Sequence, residues 1–228
     1  NSATAEQTIT VVDTQPPTLD PPPSVTLEAG ADASSAVIGA ATAALFAHEG
    51  AAVALTDLTA DSLEPTRVQI ASAGAPALAT AGDVTRRADA ERLVGETLKR
   101  FGRVDVLVNN VGHFMPGAGP FLQTTEADWE GLYEINLKHI LRATHAFAPG
   151  MVERRSGNII SVSTIETLRG IPGNAVYSTF KTGITAFTRS FALEVAPYGV
   201  RVNAIAPETT DTDQVPVHRW VPAEYASK

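Results

Sequence analysis

Val104-Asp105-Val106-Leu107-Val108-Asn109-Asn110-Val111-Gly112 is a short apolar run closed by two asparagines and a glycine. A run this short, dominated by valine, reads as a strand buried on both faces, and Asn and Gly mark the turn after it. On either side the apolar spacing becomes helical, from Arg86 to Phe101 before it and from about Thr125 to Arg154 after it. Further out the same unit repeats. Toward the N-terminus lie a helix from Ala36 to Glu49, a run from Ala52 to Thr56, a helix near Ser62 to Ser72 and a run from Ala77 to Ala81. Toward the C-terminus come a run from Asn158 to Val162, a helix from about Asn174 to Val195 and a run from Val200 to Ala206. Strand and helix in strict alternation imply a doubly wound α/β fold, Rossmann-like, with a parallel sheet and helices on both faces. In such a sheet ligands bind beyond the carboxyl ends of the strands.

The composition narrows the function. The 228 residues are 44% hydrophobic and 18% charged, the balance of a globular chain. Acidic residues outnumber basic ones by 25 to 17, a net charge of −8, and no run of Lys or Arg could track phosphates, so nucleic acid is not an expected partner. There is no cysteine, hence no disulfide, thiolate metal site or Cys nucleophile, which fits a cytoplasmic, reducing setting. His48, His113, His139, His145 and His218 are scattered, and no metal site is expected. No apolar stretch is long enough to span a bilayer. Residues 1–24 differ from the rest: Thr8 to Val12 alternate like a strand, and Pro16, Pro17, Pro21, Pro22 and Pro23 then impose extended backbone. They read as a Pro-rich leader or linker before a single domain over residues 25–228.

The turns after the strands hold the candidate residues. Asp57 lies eighteen positions beyond Gly39, near the spacing at which a carboxylate accepts from a ribose in a dinucleotide fold; the other reading is a solvated turn residue. Gly82-Asp83-Val84 follows the third strand and Asn109-Asn110-Val111-Gly112 the fourth. In the helix near 174–195, Tyr177 and Lys181 are four apart and so share one face. A cation beside a phenol stabilises the phenolate, which makes Tyr177 a candidate general acid or base, although such pairs also arise by chance.

Taken together, Asn109-Asn110-Val111-Gly112, Asn136, Ser161-Val162-Ser163-Thr164, Tyr177 with Lys181, and Asn203-Ala204-Ile205-Ala206-Pro207 resemble the short-chain dehydrogenase/reductase family, in its order and spacing. Within it the chain is similar to classical bacterial members often described as 3-oxoacyl-carrier-protein reductases. The resemblance implies an oxidoreductase that interconverts a secondary alcohol and a ketone with a nicotinamide cofactor. Tyr177 would be the proton donor or acceptor, Lys181 would lower its pKa and hold the nicotinamide ribose, and Asn136 would anchor a water linking Lys181 to solvent. Thr164 would polarise the carbonyl. Asp83 and Val84 would meet the adenine, Asn110 and Gly112 would lie beside the cofactor, and Pro207 to Thr212 would pack round the carboxamide. Asp57 favours NAD over NADP, because it would repel a ribose 2′-phosphate. Family relatives often pair two long helices, so a homodimer or tetramer is expected, acting on a small alcohol or ketone.

The sequence departs from the family at three places. The position thirteen before Tyr177 is Thr164, where serine is usual; its methyl stiffens χ1 and narrows the pocket. Ser163 is the fallback, expected on the opposite face. In the glycine-rich turn, counting back from Gly39 lands on Asp32, Ala33 and Val37, so two of three glycines are missing. In a second register Gly30 follows a strand from Val25 to Glu28 and the turn carries an insertion. Either way weakened cofactor binding is expected. After Pro207, Glu208 stands where glycine is usual and 21 residues remain, so the last strand of the sheet is expected to be missing. These departures support an alternative: a cofactor-impaired protein of this fold acting as a binding or interaction protein, or a truncated fusion product. The stretch from Thr8 through Leu27 also resembles the junction between immunoglobulin-like repeats of secreted bacterial proteins, which would make it an adhesive segment.

Overall fold

The computed structural model describes residues 24–28, 33–114 and 119–208. Six strands form one parallel sheet: β1 (Ser24–Glu28), β2 (Ala52–Asp57), β3 (Ala77–Ala81), β4 (Val106–Asn109), β5 (Gly157–Val162) and β6 (Val200–Ile205), in the order β3-β2-β1-β4-β5-β6. The helices α1 (Ala33–His48), α2 (Ala60–Ser72), α3 (Arg87–Phe101), α4 (Glu126–Tyr133), α5 (His139–Arg154) and α6 (Ala175–Val195) make the crossovers. The doubly wound reading holds. Among the described residues the sheet ends at β6, and the expected leader lies outside them except that Ser24 already opens β1.

Because successive side chains of a strand point to opposite faces, each buried strand feeds two cores. In β4, Val108 joins Val25, Val53, Leu55, Ala43 of α1 and Ile70 of α2, while Leu107 joins Ile159, Val202, Phe147 and Met151 of α5, and Val195 of α6. The strand order reverses between β1 and β4, where Val25 pairs with Val106 and Leu27 with Val108, and this opens a crevice at the carboxyl ends.

The expected helix from Thr125 to Arg154 is interrupted. Thr125 caps α4 in a reciprocal capping box with Asp128, and between α4 and α5 the chain widens into a π-turn, Glu134–Lys138. The backbone N–H of His139 reaches back to the carbonyl of Glu134. Trp129 and Tyr133, four apart on α4, pack apart from each other: Trp129 stacks on Phe121 and Tyr133 lies against Phe180 of α6.

Candidate active site

The π-turn turns Asn136 inward. Its side chain is fully buried; Nδ2 donates to the carbonyls of His113 (2.8 Å) and Leu132 (3.0 Å), and Oδ1 accepts the N–H of His113 (3.1 Å). A side-chain amide thus occupies a helical carbonyl and both backbone groups of the loop after β4, which pins that loop to the helix. π-Turns of this kind occur often at functional sites.

Across from it, Lys181 of α6 is only 3% exposed. Its Nζ donates to the carbonyl of Val162 at the end of β5 (3.0 Å) and lies 5.8 Å from the centre of the Tyr177 ring, one helical turn away. Gly112 fits between the two groups: a Cβ there would sit 2.5 Å from Lys181 Nζ and 3.1 Å from Asn136 Oδ1. The structure therefore brings Gly112, Asn136, Lys181 and Tyr177 together at the mouth of the crevice. Tyr177 is half-buried, and Phe114 meets its ring edge-on at 6.4 Å.

Just beyond β5, Ser163 and Thr164 separate as strand neighbours should. Ser163 is buried, its hydroxyl donates to the carbonyl of Lys181 (3.0 Å), and its N–H donates to Ile205 (2.7 Å). Thr164 is half-buried; its Oγ1 accepts the N–H of Glu166 at 3.4 Å, a long contact. Pro207 lies beside this turn, with its carbonyl accepting from Ile165 (3.1 Å), and Glu208 forms an ion pair with Arg169.

On the other side of the crevice, Asp57 ends β2, largely buried, with Oδ1 accepting from Leu58 (2.6 Å). Asp83 closes an Asx turn, its Oδ1 accepting the N–H (2.9 Å) and hydroxyl (2.6 Å) of Thr85. Val84 is buried beside it. The N–H of Asp83 donates to Asp89 (3.2 Å), whose carboxyl is held below the ordinary range by hydrogen bonding to Arg92 first and by this N–H second. Asn110 is buried, and Asn109 beside it donates to Ser161 (3.2 Å) and Thr144 (3.4 Å). Gly39 is buried within α1.

β1 ends at Glu28 and α1 begins at Ala33, so Val37 lies inside the helix, 45% exposed, and the connection is residues 29–32. Gly30, Asp32 and Thr212 lie outside the described residues. Sequence reasoning missed Phe114 and the π-turn. Phe114 lies in a loop, where apolar periodicity carries no signal, and a π-turn leaves the helical spacing almost unchanged. Among the described residues no three His, Asp or Glu gather as metal ligands, and no helix is long and apolar enough to cross a membrane.

The family profile of the short chain dehydrogenases matches residues 32–219. The 3-oxoacyl-(acyl-carrier-protein) reductase of Thermotoga maritima is 33% identical over 182 residues, 78% of this chain and 73% of that protein. Levodione reductase of Leifsonia aquatica is 33% identical over 180 residues, 78% of this chain and 67% of that protein. Among solved structures, NAD+-bound xylitol dehydrogenase superposes with a TM-score of 0.75 at 30% identity, covering 82% of this chain and 70% of the other.

Proposed function

The chain belongs to the short-chain dehydrogenase/reductase family, and from that premise we propose that it interconverts a secondary alcohol and a ketone, with Tyr177 as the general acid and base and NAD as the cofactor. One observation carries the reading: Tyr177, the buried ammonium of Lys181 and Asn136 converge around Gly112 at the point where the strand order reverses.

The residues at the crevice fit a dinucleotide. Gly112 leaves room for the Lys181 ammonium and the Asn136 amide, which a Cβ would displace, and Asp57 presents a carboxylate at the end of β2, where it would accept from ribose hydroxyls and repel a 2′-phosphate. When bound, a nicotinamide exchanges a hydride with the substrate carbon. The protein supplies the rest. Tyr177 Oη donates a proton to the carbonyl oxygen in reduction and takes it back in oxidation; the Lys181 ammonium favours the phenolate that results. Thr164 Oγ1 is the hydroxyl left to polarise the same oxygen, because Ser163 already donates to the carbonyl of Lys181. Asn136 holds the loop that carries Gly112 against the cation. The long helices α5 and α6 are the faces through which we expect a dimer to form.

Titration with NADH and NADPH, followed by nicotinamide fluorescence, tests the reading together with ketone reduction by the chain and by its Tyr177→Phe variant. NADH binds more tightly than NADPH, and Tyr177→Phe loses on the order of 10²–10⁴ in turnover. Failure of the folded chain to bind either nucleotide would overturn the reading and leave the cofactor-impaired alternative, for which the helical placement of Val37 speaks.

A further inference from the structure

On the face of the sheet that carries α3 and α5, a cavity of about 580 Å³ opens between the two helices. Thr26 of β1 and Leu107 of β4 form its floor; Leu93, Val94, Ala143 and Phe147 form its walls. The lining is apolar and the volume is that of a small-molecule site. None of Thr164, Tyr177, Lys181 or Asn136 lines it.

The mouth differs from the floor. Arg87, Lys138 and Arg142 stand there with Glu91. Arg87 Nε is 2.7 Å from Glu91 Oε1, Arg142 Nη1 is 3.2 Å from Glu134 Oε2, and Lys138 also pairs with Glu134. Three cations (Arg87, Lys138, Arg142) therefore meet two carboxylates (Glu91, Glu134), one positive charge in excess on a chain of net charge −8. Each cation has more N–H donors than its ion pair uses. Long basic side chains also lay their stems on apolar walls while their heads stay in water, which suits a site apolar within and cationic at the rim.

We propose that this cavity binds a single-chain amphipathic carboxylate, a fatty acid of medium length. Its alkyl chain lies along Val94, Leu141 and Ala146, and its carboxylate lies at Lys138, Arg142 and Arg87.

Calorimetric titration of the full chain with decanoate and with decanol, without any nicotinamide, tests the proposal. Decanoate binds one to one and decanol binds about tenfold more weakly, the loss expected for charge-assisted hydrogen bonds. Lys138→Gln weakens decanoate and leaves decanol unchanged, and Ala90→Phe, which fills the cavity, abolishes binding. Should Ala90→Phe fail to fold, Ala146→Trp blocks the more exposed wall. No uptake of decanoate by the folded chain overturns the proposal, and so does equal uptake by the wild type and a blocked variant. Sedimentation showing that a blocked variant dissociates a dimer, with no decanoate bound by the wild type, assigns the groove to a second copy. Because no cofactor is present, these outcomes are independent of whether the Tyr177 site is an oxidoreductase.

Discussion

At Gly112 the decisive contact is one that only hydrogen allows. A methyl group would meet Lys181 Nζ at 2.5 Å and Asn136 Oδ1 at 3.1 Å, with the buried end of α6 on one side and the pinned loop on the other. Gly112→Ala should leave the circular dichroism spectrum intact and lower ketone reduction by about 10²-fold, the scale on which small displacements of catalytic groups act. Thr164 gives a second test. Thr164→Val keeps the shape and removes the donor, so kcat should fall by roughly 10²–10³, as when one donor to a developing oxyanion is lost; Thr164→Ser should retain activity. Tyr177, Lys181, Thr164 and Asn136 were all legible from spacing and resemblance. Gly112 was legible as a turn residue, but its contact with a lysine 69 positions away depends on how α6 docks on β5, which no local pattern encodes.

Among the elements, the stretch from Thr125 to Arg154 shows best where sequence reading stops. Its start was legible, because Thr125 and Asp128 form the capping box that their spacing allows. Its π-turn was not: the side chain of Asn136 competes with the backbone for Leu132, and only the presence of His113 across the gap makes that arrangement favourable. The strands and the helices around them were read correctly in type, with shifts of a residue or two at their ends, whereas α1 starts at Ala33, before the expected Ala36. The cap makes a pH prediction. The Asp128 carboxyl lies below the ordinary range, first through the Thr125 hydroxyl and then through the Thr125 N–H. A carboxyl depressed on folding adds stability that is fully present above its unfolded value and is lost as pH falls through its folded value. The stability gap between the chain and its Asp128→Asn variant, read from urea midpoints, should therefore be constant near neutrality and close as pH drops from about 4 through the depressed value. Thr125→Ala, which removes the cap itself, should cost about 1 kcal/mol at neutral pH.

Across the whole molecule, two cores lie back to back on one sheet. Val53 in β2 belongs to the core under α1 and α2, and Ile159 in β5 to the core under α5 and α6. With β1 and β4 between their strands they are separated by about 14 Å. Ile159→Val should cost about 0.5–1.5 kcal/mol, and its effect should add to that of Val53→Ala within about 0.5 kcal/mol in a double-variant unfolding series. Coupling beyond that would mean that the sheet transmits strain from one core to the other. The position of β1 has a further consequence, in time rather than in space. It is synthesised before every other strand described, yet it stands in the middle: it can pair with β2 early, but its other edge waits for β4, since Val25 meets Val106, 81 residues on. At a ribosomal pace of about 5–20 residues per second that edge stays bare for roughly 4–16 s, so the centre of the finished sheet is the nascent chain's longest-exposed seam.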